Sequence, residues 1–220
     1  IALTRNILTG LGLDEAQGQT LISDESARLV KEELVELENP LSSDMNVLRP
    51  SLMPGLLDSL RNNLVRQSQN VALFEVGRTF APGSKEIRKV AMLITGRRYS
   101  AFWDDDRAKQ DINDLKGVVD QMLELLGIYG VNFNRREEAT TLYIESADIK
   151  MGKQSIGQMG QLQSGVSKRF EAREAVYIAE LDLDTLLQRR NSSKSFKGLP
   201  QFPASERDVA MLVDESVTHS

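Results

Sequence analysis

Leu3, Ile7, Leu8 and Leu11 recur at helical spacing at the start of the chain, and Gly10 and Gly12 follow them. That pattern predicts a short amphipathic helix ended by a glycine cap. A strand is expected at 19–22. Ser23-Asp24-Glu25-Ser26 reads as a helix start, with Ser23 as cap and acids opposing the positive end of the dipole. Near alternation over 33–38 favours a strand with one acidic face, a continued helix being the alternative, and Asn39-Pro40 ends it. Further on, Leu52, Leu56, Leu60 and Leu64, with Leu57 beside them, line one face of a helix capped by Ser51, whose early Pro54 is tolerated in the first turn. Residues 71–77 and 90–95 read as two strands joined through Ala81-Pro82-Gly83-Ser84, a hairpin.

After Trp103, Asp111-Ile112-Asn113-Asp114 leads a helix with Leu115, Val118, Val119, Met122, Leu125 and Leu126 at a 3.6 period, stopped by Gly127. β-type patterning then covers 131–133, 141–146 and a hairpin over 149–157 that turns at Gly152-Lys153. A short helix is expected at 164–170, a strand at 175–183 and a helical turn at 184–188. The polar stretch 189–197 reads as a linker, reinforced by Gly198 to Pro203, and Asp208 to Val213 begins a new strand. Helices and hairpins in mixed order predict an α+β domain around a largely antiparallel sheet.

At 220 residues the chain is long enough for one large domain, or one plus a fragment. Its 40% hydrophobic and 27% charged residues are ordinary for a globular protein. The longest apolar runs are about half the roughly 20 residues of a membrane span. No membrane association is expected, and the lack of Cys fits the cytoplasm. The chain opens on Ile1 rather than Met, which we read as a piece of something longer.

Absence of Cys removes thiol nucleophiles, thiolate zinc and iron–sulfur clusters, and the single imidazole, His219, removes Ser-His-Asp hydrolysis and multi-His metal sites. Proton chemistry would fall to carboxylates or lysines. The formal net charge of −5 is unevenly spread. Residues 23–45 hold seven acids and two bases, residues 61–98 hold eight bases and two acids, and 189–197 adds four bases. Basic stretches can meet phosphates, or they can form a solvated face balanced by the acidic segment. Asp104, Asp105 and Asp106 offer oxygen ligands for magnesium, although adjacent side chains diverge and a solvated loop explains them better. The glycines of 152–160 match neither the P-loop nor the dinucleotide fingerprint. Arg49, between Leu48 and Pro50, could pair with a carboxylate or phosphate, or with the acidic segment just upstream.

One segment is more distinctive than its chemistry. Asn39-Pro40-Leu41-Ser42-Ser43-Asp44-Met45-Asn46-Val47-Leu48-Arg49-Pro50-Ser51-Leu52-Met53-Pro54-Gly55-Leu56-Leu57 resembles the signature of the bacterial phenylalanyl-tRNA synthetase beta chain family. Phe74-Glu75-Val76-Gly77-Arg78-Thr79-Phe80 is similar to the strand that follows it there. Asp114-Leu115-Lys116-Gly117, Ile156-Gly157-Gln158-Met159-Gly160 and Phe202-Pro203-Ala204-Ser205-Glu206-Arg207-Asp208-Val209-Ala210 resemble later family segments, in the family's order. The family's His-Pro-Gly before the late hairpin is replaced by Tyr143-Ile144-Glu145-Ser146-Ala147.

The resemblance implies a class II aminoacyl-tRNA synthetase-like core over 1–197, an antiparallel sheet flanked by helices, and the start of a ferredoxin-like anticodon-binding domain over 198–220. It implies a heterotetramer of two alpha and two beta chains that charges tRNA(Phe) with phenylalanine, using ATP and magnesium, with the active site on the alpha chain. This region would then be a non-catalytic core for assembly, with tRNA contact possible, holding no catalytic, cofactor or metal site. Leu48, Arg49, Ser51, Arg61 and Arg66 are the candidates for the subunit interface. A non-catalytic interaction scaffold unrelated to tRNA charging is the alternative.

Overall fold

The computed structural model describes residues 1–83, 85–99, 108–190, 205 and 207–214. Trp103, the triple Asp104, Asp105 and Asp106, the linker beyond Arg190 and His219 lie outside them.

The apolar run that starts at Val71 forms β5 (Val71–Ala81), which returns through the Pro82-Gly83 turn into β6 (Lys85–Thr95), in antiparallel register from Val71↔Thr95 to Ala81↔Lys85. A second hairpin joins β8 (Tyr143–Met151) to β9 (Gln154–Leu162). Between the hairpins lies β10 (Val176–Asp182), antiparallel to both β6 and β9 and buried up to Leu181. With β7 (Val131–Arg135) at one edge and the parallel pair β1 (Asp14–Glu15) at the other, the order is β1-β5-β6-β10-β9-β8-β7. The expected antiparallel sheet is therefore seven-stranded, and only its β1–β5 pair is parallel.

Successive strand residues point to opposite faces, so the sheet buries two layers. One face packs Phe74, Val76, Val90, Met92, Tyr177 and Ala179 under α1 (Ala2–Gly10), α4 (Ile112–Leu125) and α6 (Leu183–Gln188). The other packs Leu73, Leu93, Leu162 and Ile178 under α3 (Met53–Val65) and α5 (Ser164–Arg169). In α3 the predicted stripe is the buried one: Leu52, Leu56, Leu57 and Leu60 are fully inside, and Leu64 is half-buried. Asp111 accepts from the Asn113 and Asp114 amides while the Asp114 carboxylate accepts from the Asp111 amide, a capping box that starts α4. Gly127, at φ +76°, ends it.

A small three-stranded sheet stands apart, β2 (Leu21–Ile22) and β3 (Val35–Glu36) flanking β4 (Val47–Leu48). The strands expected at 19–22 and 33–38 shrink to two residues each because their only partner is two residues long. Between them α2 (Asp24–Arg28) starts as expected, the Ser23 hydroxyl accepting from the Ser26 amide. The strand expected at 141–146 and the hairpin arm after it are one strand, β8. Tyr143 and Glu145 oppose neighbouring residues of β9, so Ile144 is an extra residue that breaks the alternation and stands half out in solvent. The strand expected from Asp208 is not formed. Residues 207–214 are without regular structure and Val209, Met211, Leu212 and Val213 are exposed, for a strand needs a neighbour to take its hydrogen bonds.

Candidate functional site

The chain passes from the small sheet to the main one at Arg49. Its amide donates to the Thr20 carbonyl and its carbonyl accepts from the Phe80 amide, both at 3.0 Å, so the backbone is held between the sheets. The guanidinium turns inward. Arg49 Nη1 meets Glu75 Oε1 at 2.6 Å and the Gly18 carbonyl at 3.4 Å, and Nε donates to the Arg78 carbonyl at 2.8 Å. Arg49 is 7% exposed and Glu75 2%, so this pair is shielded from water. Room for it comes from Gly77, where a Cβ would run into the guanidinium and lie 3.2 Å from Glu75 Oε1. Glu75 Oε2 has no hydrogen-bond partner and lies beneath the close crossing of Gly18 and Gly55.

Two residues on, Ser51 does what its cap position predicts and one thing more. Its hydroxyl accepts from the Met53 amide at 3.1 Å, although Leu52 rather than Ser51 is the residue flanking the helix. The same hydroxyl donates to Glu180 Oε1 at 2.7 Å, which also accepts from the Leu52 amide at 2.7 Å. Glu180 Oε2 accepts from Lys89 Nζ at 2.6 Å. Tyr143 lies under α3 too, its hydroxyl 3.4 Å from Met53 Sδ. Burial, reinforced by the Glu180 charge, pushes that phenol well above the usual tyrosine range.

Glu75 and Glu180 belong to one row across the sheet. In register across β5, β6, β10, β9 and β8 stand Glu75, Ala91, Glu180, Gln158 and Asp148. Beyond α3 the row opens into a cleft of about 250 Å³ lined by Lys31, Lys89, Arg136, Asp148, Gln158 and Glu180. Its carboxylates are turned to cations of the same chain: Glu180 to Lys89, and Asp148 to Arg136 at 2.6 Å. Among the described residues no three acids converge where a metal ion could sit.

Of the residues singled out in the sequence, the structure brings together Arg49 and Ser51, both buried, with Leu48 half-buried in β4. Arg61 and Arg66 are exposed, on and just after α3. Arg61 lines the rim of a groove of about 570 Å³ between α3 and the 17–23 segment, with Gly18, Met45, Asp58 and Asn62. Arg49 pairs with a carboxylate, but on β5 and not in the acidic segment. That segment pairs with itself, Arg28 reaching Asp24 and Glu36. Several cations of the basic stretch also pair within the chain, Arg78 with Glu86 inside the stretch, and Arg88 with Asp184 and Arg98 with Asp111 and Asp114 beyond it. Sequence reasoning missed Glu75, Lys89 and Glu180. A single carboxylate inside an otherwise apolar strand was the available signal, since an ionised group there needs a partner.

The family model of the phenylalanyl-tRNA synthetase beta chain CLM domain matches residues 1–183. The chain belongs to that family. Among curated relatives, the phenylalanine–tRNA ligase beta subunit of Clostridium acetobutylicum is 32% identical over 222 residues, covering 96% of this chain and 27% of that protein. The beta subunit of Bacillus subtilis is 31% identical over 223 residues, covering 97% and 28%. This beta-chain region thus spans little more than a quarter of the relatives it matches. Among solved structures, a pyrrolysyl-tRNA synthetase of Desulfitobacterium hafniense superposes with a TM-score of 0.68 at 14% identity, over 85% of this chain and 66% of that one. At that identity the likeness speaks for the fold alone, which is the class II synthetase-like α+β core that the resemblance implied. An unrelated interaction scaffold finds no support in these comparisons.

Proposed function

We propose that this region is the core of a phenylalanine–tRNA ligase beta subunit and serves assembly rather than chemistry. In this reading it associates with an alpha chain, in a heterotetramer of two alpha and two beta chains in the cytoplasm, and the assembly attaches phenylalanine to tRNA(Phe). ATP and magnesium are used on the alpha chain. Residues 198–220 begin an anticodon-binding domain, and tRNA contact by the core is part of the proposal. The observation that supports an assembly role is the polar row, in which Glu180, Asp148 and Glu75 each meet a cation of their own chain. The partner surface is the outer side of α3, where Arg61, Val65 and Arg66 are exposed, with Leu48 nearby in sequence and Arg49 and Ser51 acting from inside.

Co-expression of the full-length beta subunit with its alpha chain tests this reading. Affinity recovery of one chain should bring down the other, and charging of tRNA(Phe) should require both. Reversal of both arginines, Arg61→Glu with Arg66→Glu, should reduce alpha-chain recovery. A beta subunit that charges tRNA unaided would overturn the proposal.

A further inference from the structure

Glu180 is tied to α3 from a great distance in sequence: 129 residues separate it from the Ser51 hydroxyl and 128 from the Leu52 amide. Both carboxylate oxygens are used, Oε1 by two donors at the start of a 13-residue helix and Oε2 by Lys89. An anion is favoured there because the first amides of a helix lack intrahelical partners and its dipole is positive at that end. Glu180 is 7% exposed, and hydrogen bonds between charged groups are strong where water is excluded. Its backbone is fixed as well, since β10 is hydrogen-bonded on both sides. A rigid central strand therefore holds the helix end through one carboxylate.

We propose that Glu180 is a positioning residue: its carboxylate fixes the start of α3 against β10 and so sets the orientation in which the helix presents Arg61, Val65 and Arg66 to a partner subunit. The inference rests on the proposed role of α3 in assembly. The anchor borders the 250 Å³ cleft, so shortening Glu180 leaves the Ser51, Leu52 and Lys89 donors open to a small carboxylate from solvent. Asp148 also faces that cleft, but it is engaged by Arg136 and stands across Gln158 from Glu180.

The test uses the full-length beta subunit, alone and with its alpha chain, and the variants E180A, E180Q and E180Q/K89M. E180A should weaken alpha-chain affinity by about tenfold or more, as expected when charge-assisted hydrogen bonds are lost. Sodium propionate should restore most of that affinity and of the unfolding temperature, while sodium chloride at equal ionic strength should not. E180Q should fall between wild type and E180A, and adding K89M should improve on E180Q by removing the stranded ammonium. If E180A fails to fold, the comparison of E180Q with E180Q/K89M carries the test. Equal response to propionate and chloride, or a lowered unfolding temperature with alpha-chain affinity unchanged, would overturn the positioning role. If instead Arg61→Glu with Arg66→Glu leaves alpha-chain affinity intact while propionate still rescues E180A unfolding, the partner assignment of α3 fails and the anchoring of its N-terminus stands.

Discussion

Replacing Arg49 by alanine strands a carboxylate that is 2% exposed. Glu75 has one oxygen without a hydrogen bond in the intact chain, and its other oxygen depends on Arg49 Nη1. The substitution also takes away the donor to the Arg78 carbonyl at 2.8 Å. Removing one partner of a buried pair costs about 3–5 kcal/mol, because the survivor keeps its desolvation penalty without its attraction. At roughly 2–4 °C per kcal/mol for a domain of this size, the unfolding temperature should fall by about 6–20 °C. Urea denaturation of wild type and Arg49→Ala, fitted with a common slope, gives the free-energy difference directly. Replacing both partners, Arg49→Met with Glu75→Leu, should recover most of the loss, since two apolar groups of similar volume leave no charge buried. A loss for Arg49→Ala below about 1 kcal/mol, the size expected of an exposed pair, would refute the shielded geometry.

Three further measurements bear on the core. Asp111→Ala should cost about 1 kcal/mol by opening the capping box of α4, and Asp111→Asn should restore most of it, both read by thermal unfolding. Gly160→Ala should destabilise by about 1–3 kcal/mol in the same assay, because its Cβ would lie 2.5 Å from the Glu145 carbonyl and 2.7 Å from Tyr143, whereas Gly117→Ala, with open space around it in α4, should gain about 0.5–1 kcal/mol. The Tyr143 phenol is held neutral by burial, so its contribution to stability is whole below about pH 10, where the unfolded phenol begins to ionise, and is lost as the pH rises beyond that. Stability measured from pH 9 to 11 should therefore fall less steeply in Tyr143→Phe than in wild type.

The helices and hairpins were legible where local pattern and burial agree. The stripe of α3 and the cap of α4 are set by residues three or four apart, and the β5–β6 hairpin by a turn next to its strands. Partnership across the chain was not legible. That Arg49 wants a carboxylate follows from its charge, but which carboxylate depends on β5 lying under the 49–52 segment. Glu180 meets Ser51 only because β10 inserts beside β6, a topological fact that no local window contains. The short strands of the small sheet were overestimated for the same reason, since their length is set by β4 and not by their own alternation.

The place of β10 in the sheet bears on how the chain is made. Synthesis produces both hairpins before residues 176–182 emerge, yet those residues fill the gap between β6 and β9. Until then β6 and β9 each expose an open row of amides and carbonyls, β6 along its apolar half from Val90 to Ile94, an edge on which other chains can template. The sheet closes only when its last strand arrives, and the pairing it completes is of high contact order and hence slow. A nascent or truncated chain ending before Val176 should therefore be an aggregating species and a client for chaperones, although every other strand of the sheet is already present.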